Sequence, residues 1–204
     1  MANTTYKVAE PIARTPLRGA PTRVIDGREY QQGATEGDLL ITDLTMTKKT
    51  QYRVVNGQSA DLGVVYGEAK WTGNTLVVGS GPDEWLVVEA YGGPEAEDVP
   101  GTRHADLSQG RAMIRVSGKN ALALMRRVSA FNFDDRLFPN HAAARTSVAT
   151  LATDVVRDDV GGHHSFILHV ERSSGIYLQE MLLEAGAEFG AKIGQASPEF
   201  GPAD

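Results

Sequence analysis

DLSQGRAMIRVSGKNALALMRRV, Asp106 to Val128, decides the fold class because it holds a strand, a glycine turn and a helix in one short run. Ala112, Ile114 and Val116 fall on one face of a strand, a period of two. Ser117-Gly118-Lys119-Asn120 breaks that strand, and either Ser117 or Gly118 is expected to cap the helix that follows. Ala121, Leu122, Leu124, Met125 and Val128 then form a helical stripe. Arg126 and Arg127 close the last turn, where positive charge offsets the helix dipole.

The same grammar occurs earlier in the chain. DLTMTKKTQYRVVNGQSA, Asp43 to Ala60, also reads D-L-[ST], a strand ending in valine, a glycine turn and a small helix opening at alanine. A hairpin is expected after each copy. The first runs Thr75–Val78, a loop Gly79 to Glu84, then Trp85–Ala90; the second runs Val148–Val156, a loop through Asp158–Gly162, then Phe166–Val170. The pattern is strand–helix–hairpin, twice. A last helix is expected over Ser174–Phe189, capped by Ser174, stopped by Gly190, with Tyr177, Leu178, Met181, Leu182, Ala185 and Phe189 as its apolar stripe. The first half has no counterpart to it, because the prolines and glycines between Gly92 and Gly101 allow at most a turn of helix, leaving one sheet face for a partner to cover.

These readings divide the chain into an N-terminal arm over 1–37, one α+β domain over 38–190 with halves 38–103 and 104–190, and a tail over 191–204. The arm carries Pro11, Pro16 and Pro21 and few large apolar groups. It buries too little by itself to offset its ordering entropy, so it is either a disordered leader or an extended arm laid on a partner. The tail, with Pro198 and Pro202, is either frayed or docked on a neighbour.

The 204 residues, 41% of them hydrophobic, suffice for a real core. A net charge of −6 argues against a nucleic-acid surface, which needs clustered Lys and Arg. With no cysteine in the chain, disulfides, thiolate metal sites and cysteine nucleophiles are excluded. No apolar run has the length of a membrane span, and a cytoplasmic location is expected.

Candidate chemistry is sparse. Gly79-Ser80-Gly81-Pro82 has the look of a phosphate loop, but a strand follows where a helix N-terminus is needed, so a hairpin is the better reading. Ser80 lacks the G-x-S-x-G context of a hydrolase nucleophile. His163 and His164 lie in a glycine-rich loop, and the strand pattern puts His169 opposite Phe166, Leu168 and Val170, so the three are not expected to converge on a metal. His104 and His141 read as isolated and exposed. Asp83-Glu84, Asp134-Asp135 and Asp158-Asp159 read as solvated turns. Arg126-Arg127 offers an anion contact, with helix termination the simpler account. No catalytic, cofactor-binding or metal residue is assigned.

The D-L-S, strand, V-x-G-x-x-A pattern resembles the glycine-cleavage T-protein (aminomethyltransferase) superfamily. Gly81-Pro82-Asp83-Glu84-Trp85-Leu86, the Asp106–Val128 run, and Leu137-Phe138-Pro139 followed by Ala144-Arg145-Thr146 resemble, in that order, the gamma subunits of heterotetrameric sarcosine oxidases. The resemblance spans roughly Leu39 to Gly190. It implies an antiparallel or mixed sheet with helices, like an aminomethyltransferase folate domain, in a non-catalytic subunit. The whole complex would oxidise sarcosine to glycine, pass the one-carbon unit to tetrahydrofolate and make hydrogen peroxide. The resemblance implies that FAD, FMN, NAD, zinc and tetrahydrofolate belong to the alpha, beta and delta partner subunits, with none in this chain. The rival expectation is a free-standing folate-binding or folate-dependent one-carbon transfer protein.

Overall fold

The structure, a computed structural model, describes residues 11–93 and 97–202. The first ten residues of the expected arm, part of the proline-glycine segment at 92–101, and the last two residues lie outside them. The elements run β1 (Thr22–Ile25), β2 (Arg28–Gln31), β3 (Leu40–Asp43), β4 (Lys48–Val54), β5 (Ala69–Thr72), β6 (Thr75–Gly81) and β7 (Glu84–Glu89). They continue through β8 (Thr102–Asp106), β9 (Arg111–Ser117), α1 (Ala121–Val128), β10 (Ala143–Val148), β11 (Leu151–Arg157), β12 (Ser165–Glu171), α2 (Gly175–Ala185) and β13 (Lys192–Ile193).

β1 and β2 form a small hairpin, and the others build two sheets. One is ordered β5-β6-β7-β4-β8, the other β10-β11-β12-β9-β3-β13. Every pairing is antiparallel except β13 with β3. The orders β5-β6-β7-β4 and β10-β11-β12-β9 correspond strand for strand, so the repeated grammar of the sequence is a repeated sheet. The fold is α+β.

The two sheets exchange strands at the repeated motif. β3 leads into β4 along the chain but pairs with β9, and β8 leads into β9 but pairs with β4. Asp43-Leu44-Thr45 and Asp106-Leu107-Ser108 are the crossing points. Each aspartate accepts from the backbone two residues on: Thr45 N to Asp43 Oδ1 at 2.8 Å, Ser108 N to Asp106 Oδ1 at 2.7 Å. Each hydroxyl then accepts from a strand of the other half: Met113 N to Thr45 Oγ1 at 3.3 Å, Lys49 N to Ser108 Oγ at 2.9 Å. An aspartate closes the tight turn and a short hydroxyl reaches the neighbouring strand, which is why D-L-[ST] recurs there.

α1 and α2 cover one face of the six-stranded sheet. Phe166, Leu168 and Val170 of β12 meet Leu124, Leu178 and Leu182 in the larger core. Phe133 lies edge-on to Phe138 and Phe166, with centroids 5.6 and 5.2 Å away. Burying each such ring contributes about 1.5–3 kcal/mol, plus a smaller edge-to-face term. Ile167 and Val156 point to the other face, where they join Leu76, Val78, Leu86 and Val88 of the five-stranded sheet.

Several expectations change. No helix opens at Ala60: among the described residues, 55–68 is turns and extended chain lying over Tyr52 and Trp85. Gly63 at φ +76° and the β-branched pair Val64-Val65 oppose a helix there. Val148–Val156 is not one strand, because Ala149 and Thr150 turn the chain with φ of +47° and +69° and create β10, the partner of β11. α1 is capped by Asn120, without a side-chain hydrogen bond, rather than by Ser117 or Gly118, since Ser117 is still paired in β9. α2 ends at Ala185, a short 3₁₀ turn follows, and Gly190 at φ +72° stops it. Tyr177 is exposed, and Gly175, Leu178, Gln179 and Leu182 make the buried stripe instead.

Residues 11–37 lie against this chain. Leu17 enters the larger core, Arg18 N donates to Gln179 Oε1 at 3.0 Å, and Gln179 Nε2 donates to Gln31 Oε1 at 3.1 Å. The tail adds β13 to β3 and packs Phe200 5.1 Å from Trp71, centroid to centroid.

Candidate functional site

The space between the two sheets holds the chain's most unusual side chains. β4 pairs Lys49, Gln51 and Arg53 with Val88, Leu86 and Glu84 of β7, all on the face toward the six-stranded sheet. Lys49 is fully buried. Its Nζ donates to Thr45 O at 2.9 Å, Thr47 O at 2.7 Å and Thr47 Oγ1 at 3.2 Å, which uses all three protons. Burial pushes its pKa down to about 7, against the pull of Asp43 and with a further push from Arg172. Asp43 is buried too, and desolvation raises its pKa while hydrogen bonds from Thr15 and Thr45 oppose the rise. In the other half the matching place, defined by the crossed hydroxyl contacts, is Met113.

Beside it, one cross-strand row runs over the six-stranded sheet: Arg145 on β10, Asp154 on β11, His169 on β12, Met113 on β9. Arg145 Nε is 3.7 Å from Asp154 Oδ1, and Asp154 Oδ2 is 3.4 Å from His169 Nδ1. His169 is 4% exposed. Burial lowers its pKa, with Asp154 pulling upward, so the ring is neutral at pH 7. Its Nε2 is buried without a hydrogen-bond partner among the described residues.

His169, Asp154 and Arg145 line a narrow apolar cavity of about 20 Å³ between the sheets, walled by Val78, Leu86, Met113 and Ile167. That is room for one water-sized group. Ser80, Asp154 and Arg145 also border an open polar cleft of about 410 Å³. Four arginines line the cleft, Arg53, Arg103, Arg111 and Arg145, against the carboxylates Glu84 and Asp154. Arg53 pairs with Glu84, and Arg111 meets Glu171 at 2.8 Å. The cleft is cationic in an acidic chain and can hold an anion. The cavity behind it is smaller than a pterin ring.

The residues singled out in the sequence are scattered. His163 is exposed in its loop, His164 Nε2 meets Asp135 Oδ1 at 2.8 Å, and His169 lies between the sheets, so the three do not converge. Asp135 is held below the usual carboxylate range by its hydrogen bonds from His164 and Arg157. His104 is exposed and borders the cleft, and His141 is exposed 3.9 Å from Asp158. Ser80 Oγ accepts from Gln51 Nε2 at 3.0 Å, inside a hairpin whose turn is Pro82-Asp83. Gly79 is required there because Val65 O would lie 2.1 Å from an added Cβ. Arg127 meets Glu188 and donates to Ala185 O at 3.2 Å, tying α1 to the end of α2.

Asp158 departs from the solvated-turn expectation. It is buried, accepts from Trp71 Nε1 at 2.8 Å and from Arg115 Nη2 at 2.7 Å, and so joins β5 of one sheet to β9 of the other. Its neighbour Asp159 accepts from Arg157 Nε at 2.9 Å and Nη2 at 2.8 Å. The sequence missed Lys49 and Asp154 altogether. Lys49 lies between Lys48 and Thr50 and Asp154 between Thr153 and Val155, so no local apolar pattern marks either, and their place shows only once the sheets are stacked.

No protein-family model matches the chain, and no curated protein matches it. Several solved structures share its fold, among them these two. One is a heterotetrameric sarcosine oxidase from Corynebacterium sp. U-96 in complex with pyrrole 2-carboxylate, at 22% identity and a TM-score of 0.62, covering 77% of this chain and 89% of that one. The other is the glycine cleavage system aminomethyltransferase T from Bartonella henselae, at 11% identity and a TM-score of 0.62. That match takes in 90% of this chain but spans only 60% of the aminomethyltransferase.

Proposed function

We propose that this chain is the non-catalytic gamma subunit of a heterotetrameric sarcosine oxidase, bracing an assembly that converts sarcosine to glycine, one-carbon-loaded tetrahydrofolate and hydrogen peroxide. The observation that carries this reading is the extent of the first match. It takes in 77% of this chain and 89% of its counterpart, so the two are of similar length. The aminomethyltransferase, by contrast, extends well beyond what this chain covers. In this reading FAD, FMN, NAD, zinc and tetrahydrofolate are held by the alpha, beta and delta subunits, and the complex works in the cytoplasm. No helix among the described residues is long and apolar enough to cross a membrane.

The test is expression of the chain alone and together with the three other chains. Alone it should be colourless and inactive on sarcosine, with or without tetrahydrofolate. Together it should co-elute with the flavin absorbance. A lone chain that binds tetrahydrofolate by calorimetry would replace this reading with the free-standing folate protein.

A further inference from the structure

The repeat of the two sheets is incomplete at one strand. β3 and β8 hold equivalent places, each leading through D-L-[ST] into the other sheet. Beside β3 lies β13, where Lys192 N donates to Leu39 O at 3.0 Å and Gly194 N to Ile41 O at 2.9 Å. Matching Asp43 with Asp106 puts Leu39 at Thr102 and Ile41 at His104. Among the described residues β8 pairs with β4 alone, and Arg103, His104, Ala105 and Asp106 are all exposed. Val55 N donates to Gly101 O at 2.9 Å and Leu107 N to Lys49 O at 2.8 Å. The alternation of an antiparallel pair therefore turns the backbone of Arg103 and Ala105 toward β4 and that of His104 outward. Thr102 N donates to Val99 O at 3.0 Å, which leaves Thr102 O and both groups of His104 without a backbone partner among the described residues. These are the places that β13 uses on β3. The side chains beside this edge set its chemistry. Arg103 and Ala105 stand opposite Arg53 and Gln51 and line the cationic cleft, where Arg103 has no ion-pair partner among the described residues. Charged residues on an edge strand also deter pairing. Here Arg103 and Arg53 face the cleft with one sign, so they repel a basic strand and attract an acidic one.

We propose that the free edge of β8 takes an extended acidic segment of a partner protein, which joins the five-stranded sheet as its sixth strand. Two N–H groups of the segment donate to Thr102 O and His104 O, in the parallel sense in which β13 joins β3, and His104 N donates back to a carbonyl of the segment. Alternate side chains of the segment stand over the cleft, and carboxylates at those places meet Arg103 and Arg53. The backbone bonds supply the pairing, and the spacing of the carboxylates supplies the choice of partner. The proposal stands whether or not the chain belongs to a sarcosine oxidase.

The test uses the full chain and three end-blocked heptapeptides: alternating glutamate and valine, alternating lysine and valine, and the glutamate peptide with its amides N-methylated. The readouts are the dissociation constant by titration and hydrogen exchange at the His104 amide. The glutamate peptide should slow exchange at His104 and bind about tenfold tighter than either of the others. Arg103→Glu, at an exposed position, should remove the preference for glutamate over lysine. His104→Pro removes an N–H that faces away from β4, so it should weaken the glutamate peptide about tenfold while the denaturation midpoint holds. Failure of the glutamate peptide to bind, equal affinity for the glutamate and lysine peptides, or a His104 amide already protected in the chain alone overturns the proposal.

Discussion

At the residue scale, three positions carry most of the physical argument. Gly118 sits at φ +110°, and an added Cβ would lie 2.6 Å from Asp38 O. Both the backbone and the space therefore require glycine between β9 and α1. Gly118→Val is expected to destabilise the chain by at least about 2 kcal/mol, read as a lower denaturation midpoint with an unchanged slope. An unchanged midpoint would mean that the strand-to-helix turn tolerates a side chain. Lys49 makes a pH-dependent contribution whose sign is fixed by its shift. Its folded pKa, about 7, lies below the unfolded 10.5, so between those values the unfolded state binds the extra proton. Stability should therefore rise with pH by roughly 1.4 kcal/mol per unit from about pH 7 toward pH 10. Lys49→Met, which copies the matching Met113, should flatten that rise in urea titrations at several pH values. Equal slopes in the two proteins would show that Lys49 titrates normally. Gly118 was legible in the sequence because the turn it makes follows a clear strand and precedes a clear helix. Lys49 was not: KKTQYRV reads as a strand with a polar edge, and its burial depends on a second sheet that no local pattern announces.

At the scale of elements, the repeated D-L-[ST] motif gave the strongest reading, and the structure explains it as the two points where the sheets trade strands. The trade itself was invisible, since β3 and β8 are short and pair far along the chain. The second hairpin was misplaced because Ala149-Thr150 turns with positive φ at both residues without glycine or asparagine, the usual marks of such a turn. The helix expected at Ala60 failed for the opposite reason, a turn signal followed by too little helical periodicity. What covers the outer face of the five-stranded sheet is instead the segment around Val64, held by Trp85 Nε1 donating to Val64 O at 2.7 Å. Gly67 N also donates to Gly79 O at 3.0 Å, and Gly79 N to Glu68 O at 2.9 Å. Gly79→Ala should push this segment off β6. Hydrogen exchange should accelerate at residues 64–68 while α2 stays protected. Unchanged exchange at those amides would show that the segment does not depend on the close approach at Gly79.

At the scale of the molecule, the layers are helices, six-stranded sheet, five-stranded sheet and an irregular cover. Leu137 is 68% exposed, Val65 63% and Tyr66 59%, so large apolar side chains remain outside. Such groups suit a subunit that meets other chains, although scattered exposed apolar residues are also normal on monomers. The inter-sheet site could not be read from the sequence because its members, Arg53, Arg103, Arg145, Asp154 and His169, come from five strands. The most direct test of the subunit reading is native mass spectrometry on material purified through a tag on this chain after co-expression with the flavin-bearing, zinc-site and folate-domain chains. The expected result is one mass containing a single copy of each of the four chains, with flavin bound and sarcosine oxidised. Recovery of this chain alone, as a monomer or as copies of itself, with the flavin-bearing chains left in the flow-through, would contradict it.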